Sequence, residues 1–399
     1  MEDKHVNNNE KPKDDSQIIA ESIGKASLIE PSMEPSTVHK GVYYGSYLEL
    51  NNLLSLQNLE SSKVGKPAHE EMLFIIIHQT YELWFKQIIH EIDSIRSIMS
   101  TPPTPERLNG VILNRLKRVT EIQKLLVDQI SILETMTSLD FLEFRNLLVP
   151  ASGFQSVQFR MIENKLGILP NTRVQYQQHH YHSFFSEDDR QKLETSEKQV
   201  SLLQLVIQWL ERNPFLHHED YDFWKSYRSA VDQILQKDLE RVNNNKDLSD
   251  DMKEQAIKDI NKNMESFQTL FDEKSYNEKL EKNEVRLTYK ALQSALLIYL
   301  YKDEPIFHTP FLILNYLTEI DELLTMWRFR HTMMVQRVIG AKIGTGGSSG
   351  YHYLRTTVGD RYKIFLDLFN VSSYLIPRNT LPQLPPVVQQ QMEFVWQLH

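Results

Sequence analysis

Apolar residues recur along this chain at intervals of three and four. From Glu71 to Met99 they fall at Phe74, Ile77, Tyr81, Phe85, Ile88, Ile92, Ile95 and Met99. That spacing keeps one face of a 3.6-residue turn apolar and predicts a single long buried helix. A second helix is predicted from about Ile112 to Thr135 through Leu116, Val119, Ile122, Leu126, Ile130 and Leu133. Thr137-Ser-Leu-Asp140 reads as a capping box that starts a short helix, DFLEFRNLL, ended by Pro150. The period returns from Ala291 to Tyr301, then from Pro310, read as a first helical residue, to a stop at Gly340, and once more from about Asp360 to Phe369. No stretch alternates with the period of a strand, so the expected fold class is all-α, a helical bundle.

Three segments break this pattern. Residues 1–38 are polar, rich in Asn, Lys and Asp and without an aromatic residue, and are expected to be a disordered tail. The core domain is placed at 39–378. Within it, 171–284 turns strongly charged while keeping helical stretches such as SLLQLVIQWLER and YRSAVDQILQKDLER, which reads as a solvated helical insertion or hairpin. The segment 379–399 is a proline-broken C-terminal tail.

Composition narrows the chemistry. With 399 residues the chain is long enough to enclose a cofactor. It has no cysteine, which excludes disulfides, iron–sulfur clusters and thiolate-ligated metal, so any metal must take N or O ligands. A formal net charge of -9 opposes nucleic acid or an anionic membrane as a standing partner. Neither a signal-peptide core nor an apolar run of membrane-spanning length is found, and the cytoplasm is the expected address.

A few residues do not suit their surroundings. His331 lies on the inward stripe Ile313, Leu317, Ile320, Leu324, Trp327, Met334, Val338, and is either a hydrogen-bonded core histidine or a metal or haem ligand. His78 shares the stripe of Phe74, Tyr81 and Phe85. Arg145 falls on the apolar side of its short helix beside Phe141, Phe144 and Leu148. It is either paired with an internal acid such as Glu134 or set to receive a substrate carboxylate. The loop GTGGSSG (344–350) lacks a lysine and follows a helix, which disfavours phosphate binding; a lid offering Thr345 and Ser348 suits it better than a nucleotide loop, and a plain connector remains the alternative. His179, His180 and His182, and the pair His217 and His218, read as surface features. The Glu-x-x-His spacing of di-iron bundles occurs only at Glu2 and His5.

Longer strings carry a more specific signal. GVYYGSYLEL (41–50), HQTYELWFKQIIHEIDSIR (78–96), SILETMTSLDFLEFRNLLVPASGFQSVQFRMIENKLG (131–167), WRFRHTMMVQRVIG (327–340) and GTGGSSGYHYLRTTVGDRYKIFLDLFN (344–370) closely resemble the tryptophan 2,3-dioxygenase family, in family order. The resemblance implies an all-α homotetramer holding haem b, ferrous when active. The enzyme would insert both atoms of O2 across the indole C2–C3 bond of L-tryptophan to give N-formylkynurenine, the first step of tryptophan degradation. It implies His331 as the iron ligand, His78 as the distal histidine that bonds the indole N–H, and Arg145 as the grip on the substrate carboxylate. Thr345 is implied at the amino-acid head group, and Phe74 and Phe141 as walls around the ring. Tyr44, Tyr47 and Leu48 would reach into a neighbouring subunit's site. The chain departs from the family's usual residues at Thr80 (Ala), Arg330 (Asn) and Gln336 (His), none of them a position assigned to the site.

Overall fold

The computed structural model describes residues 41–101, 106–169, 172–173, 182, 185–218, 221–340, 342 and 350–393. The expected tail 1–38, and Thr345 and Ser348 of the glycine loop, lie outside them. The chain divides into two compact units, Met1–Asn58 and Leu59–His399. In the first, two short helical segments, α1 (Tyr44–Tyr47) and α2 (Leu50–Leu53), are joined through Glu49, whose φ is +50°.

The second unit is built on three long helices. After a short α3 (Glu60–Lys63) comes α4 (His69–Met99), then α5 (Asn109–Leu133). Their stripes are the ones the periodicity predicts: Ile88, Ile92 and Ile95 of α4 and Leu116, Val119 and Ile130 of α5 are fully buried in one core. Each such side chain contributes about 1.5–3 kcal/mol relative to exposure. Thr137 caps α6 (Ser138–Phe144) in a reciprocal box with Asp140, and the chain tightens into a 3₁₀ turn at Arg145–Leu148. Next are α7 (Val157–Leu166), α8 (Glu187–Lys198) and α9 (Leu202–Glu211).

The charged segment 171–284 divides by burial. Leu202, Leu203, Leu205, Val206, Trp209 and Leu210 of α9 all sink into the main core, so this helix is not solvated: apolar residues occupy more than one of its faces. The solvated hairpin is formed by α10 (Phe223–Asn244), which buries one narrow stripe, and α11 (Asp250–Phe271), which fully buries only Leu270, followed by α12 (Glu273–Glu281). His217–His218 (β1) and Tyr221–Asp222 (β2) make the one antiparallel pairing among the described residues.

Helix α13 (Tyr289–Leu300) is buried on nearly every side, and α14 (Pro305–Ile339) is the third long element. It begins five residues before Pro310, which sits inside it; Pro305 occupies the first turn, where a missing N–H costs nothing. Gly340 ends α14 with φ +60° and ψ −135°, a backbone open to glycine. Beyond α15 (Gly350–Thr356), the single helix expected at 360–369 is broken into a 3₁₀ turn and α16 (Leu366–Asn370). The Phe365 N–H leaves the helical pattern to donate to Asp321 of α14 at 2.5 Å, and Asp367 accepts the N–H groups of Arg286 and Leu287 at 2.5 and 2.6 Å. In the C-terminal tail, α17 (Pro386–Met392) buries Val388 and Met392 in the main core.

Candidate active site

Between α4, α6, α7, α14 and α15 lies a cavity of about 310 Å³ whose wall includes Phe74, His78, Phe141, Arg145 and His331. Five residues drawn from three distant stretches of sequence thus meet around one space, of a size usual for small-molecule sites.

His78 stands on α4 one turn after Phe74, and the two rings lie 4.1 Å apart. Its Nδ1 is 2.6 Å from the Phe74 carbonyl oxygen. A carbonyl only accepts, so Nδ1 carries the proton and Nε2 is left as a lone-pair acceptor. Burial pushes this imidazole down, against the opposing pull of the Phe74 carbonyl and the Glu82 carboxylate, so the ring is neutral at neutral pH. Phe141 stacks on Phe74 at 5.6 Å and meets Phe144 edge-on at 5.4 Å, giving a rigid aromatic wall at the foot of α6.

His331 projects from α14 with Trp327, one turn earlier, stacked on it at 5.2 Å and 14°. Burial, with His78 nearby, pushes its imidazole down to about 4. It is therefore neutral, the form in which histidine ligates metal. Arg145 reaches the cavity from the turn that ends α6. Glu134, the acid considered as its internal partner, binds Arg330 at 3.1 Å.

A buried charge cluster forms another part of the wall. Glu163 of α7, 1% exposed, receives Arg328 at 2.7 Å, Arg160 at 3.1 Å and also Arg173. Burial alone would raise the Glu163 carboxyl, but Arg173, Arg160 and Arg328 outweigh it and hold the group well below the usual carboxylate range. Among the described residues three guanidinium groups meet this one carboxylate, and Arg160, Glu163 and Arg328 all face the cavity. Arg160 Nε is buried and meets no acceptor among the described residues, while its guanidinium lies over Phe154 at 4.6 Å. Sequence reasoning did not single out this cluster. The signal present was Arg160 and Glu163, three apart and flanking Met161 and Ile162 in the run FRMIENKL.

Tyr44, Tyr47 and Leu48 belong to the other unit, where they are 71%, 71% and 40% exposed. Of the remaining histidines, His217 is exposed, while the half-buried His182 side chain sits 3.2 Å from Glu197 in a hydrogen bond. Among the described residues no group of three or more His, Cys, Asp or Glu is placed to hold a metal.

Comparison with known proteins agrees along almost the whole chain. A family profile described as tryptophan 2,3-dioxygenase matches residues 32–375. The chain is 81% identical over 380 residues to the tryptophan 2,3-dioxygenase of Dictyostelium discoideum, covering 95% of each. It is 48% identical over 347 residues to tryptophan 2,3-dioxygenase B of Danio rerio, covering 87% of this chain and 85% of that one. To the Alteromonas mediterranea tryptophan 2,3-dioxygenase it is 46% identical over 355 residues, with 89% and 98% covered.

Proposed function

The chain belongs to the tryptophan 2,3-dioxygenase family, an enzyme whose substrates are tryptophan and dioxygen, and we propose that it works through haem b held in the cavity on His331. The observation that carries this reading is the single cavity that gathers His331, His78 and Arg145.

The residues present fit the group. A neutral imidazole stands in the wall, Trp327 backs it, and the surroundings are largely apolar, as a histidine-ligated haem requires. Arg160, whose Nε meets no acceptor among the described residues, and Arg328 are cations in the cavity wall that suit the acidic edge of the porphyrin. When bound, the haem iron supplies the redox chemistry that lets dioxygen react with a closed-shell indole.

The chain's own part is to bind, orient and keep water out. Phe74 and Phe141, stacked on each other, form a wall against which the indole lies, and His78 Nε2 accepts its N–H, which fixes the edge presented for reaction. His78 orients the ring; electrophilic attack at C2–C3 does not demand prior loss of the indole proton, so it is not an obligatory base. Arg145 pairs with the substrate carboxylate, and Thr345 in the glycine loop contacts the head group. The product is N-formyl-L-kynurenine.

The reading includes a homotetramer in the cytoplasm. Met326, Phe329 and Met333 form an exposed apolar row on α14, the kind of surface that subunit packing covers, and Tyr44, Tyr47 and Leu48 are exposed apolar groups suited to a neighbouring subunit's site. No helix among the described residues is long and apolar enough to cross a membrane.

The test is direct. Protein reconstituted with haem, reduced and given L-tryptophan in air should develop the absorbance of N-formylkynurenine, and haem-free protein should not. Turnover without haem would overturn the cofactor assignment.

A further inference from the structure

The two helices that carry the cavity's histidines are fastened to the same short stretch of a third. Thr80, two residues beyond His78 on α4, accepts a 3.1 Å hydrogen bond from Gln129 Nε2 of α5, and its own hydroxyl donates back to the Ile76 carbonyl at 2.6 Å. Tyr81, the next residue, donates to the Leu126 carbonyl at 2.8 Å. From the other side Arg330, immediately before His331 on α14, donates to the Val127 carbonyl and to Glu134, both at 3.1 Å. Residues 126–134, the last two turns of α5 and its C-cap Glu134, therefore hold both neighbours.

His78 and His331 project from different helices, so their mutual placement is only as definite as the register of α4 and α14 on α5. Apolar packing sets the distance between helix axes but resists sliding and rolling less sharply than directional bonds do. The planar fork of Arg330, with two donors committed to two acceptors about two turns apart along α5, opposes both motions. Gln129 does the same for α4 with a single amide.

We infer that this segment of α5 is a two-sided latch, in which Arg330 positions His331 and Gln129, through Thr80, positions His78. Together they set the gap in which the planar cofactor and the indole are held. The inference rests on the haem reading above. Arg330, Gln129 and Thr80 are positioning residues: none has to touch substrate or cofactor to act.

The two sides act on different histidines, so they separate experimentally. In the haem-loaded protein, the iron–histidine stretching band of the ferrous form reports on His331, and the C–O stretch of the carbon monoxide complex reports on the polar surroundings set by His78. Arg330→Met should move the first band and leave the second; Arg330→Lys, which keeps a partner for Glu134, should restore part of it. Gln129→Leu should move the C–O stretch, raise KM for L-tryptophan by roughly 3- to 10-fold, as expected for one weakened hydrogen bond, and leave the iron–histidine band. Either band staying put in its own variant overturns the latch. Both bands moving together in each variant, in step with Tm, reduces these residues to ordinary packing and also overturns it. If the wild-type chain takes up no haem, the cofactor reading fails, and the latch is still judged in haem-free protein by hydrogen exchange. Arg330→Met must then speed exchange across 327–339 and spare 74–85, and Gln129→Leu must do the reverse; uniform change in both refutes it.

Discussion

Glu163→Gln tests how the charge cluster beside the cavity is held together. The substitution keeps shape and most hydrogen-bonding capacity and removes one negative charge from the midst of Arg160, Arg173 and Arg328, so that three buried cations lose the carboxylate they share. Breaking a buried ion pair costs about 3–5 kcal/mol because the surviving charge is stranded. With three cations sharing this carboxylate the loss belongs at the upper end, about 5 kcal/mol. For a chain of this size that lowers Tm by on the order of 10 °C. The pH dependence has a definite sign. The folded Glu163 carboxyl is held below its ordinary value of 4.5, so its contribution is fully present above that value and is lost as pH falls below it. The gap between wild type and variant should accordingly be flat from about pH 6 to 8 and narrow in acid. Calorimetry of haem-free protein across that range is the assay. A Tm within about 2 °C of wild type at pH 7, or a gap that widens in acid, would refute the reasoning.

Four further outcomes are expected. His331→Ala should lose bound haem, read as loss of the Soret band; normal haem content with normal turnover would displace His331 from the iron. His78→Ser should be slowed and still turn over, and a fall to background with haem and tryptophan binding intact would make His78 an essential base. Arg145→Ala should raise KM for L-tryptophan by roughly 30-fold or more, from the about 2–5 kcal/mol of a charge pair, while tryptamine, which lacks the carboxylate, loses far less. Equal losses would dismiss the clamp. Removing residues 1–50 should abolish assembly and activity together, measured by light scattering and turnover, and a fully active monomer would sink the shared site.

The long helices were legible because a 3.6-residue period survives over 25 to 35 residues, and α4, α5 and α14 each carry it. What local pattern cannot show is the partner. Pro310 carries a start signal, but Pro305 five residues earlier captured the first turn. The break inside 360–369 is enforced by Asp321, 44 residues away. In the site, His331, Arg145 and His78 were visible as polar residues on apolar stripes. Glu163 and Arg160 were not, since a charge pair three residues apart on a helix reads as a solvated face until Arg328 arrives from 165 residues downstream. Thr80 and Arg330 stood out in the sequence only as departures from the family's usual residues at positions not assigned to the site; the α5 contacts they make are visible only in the fold.

On the proposed role of His78, its bond to the Phe74 carbonyl would also decide what the cavity refuses. A neutral imidazole has one ring proton, and here the backbone of its own helix holds it. The remaining edge is blind to acceptors and receptive only to a donor. Ring systems of the same outline with oxygen or sulfur in place of the indole N–H would set lone pair against lone pair, and a methyl on that nitrogen would fill the space with nothing to offer. With His78 as the proposed partner of the indole N–H, selectivity for indole over its isosteres would come down to a single hydrogen atom, enforced by a backbone carbonyl of α4.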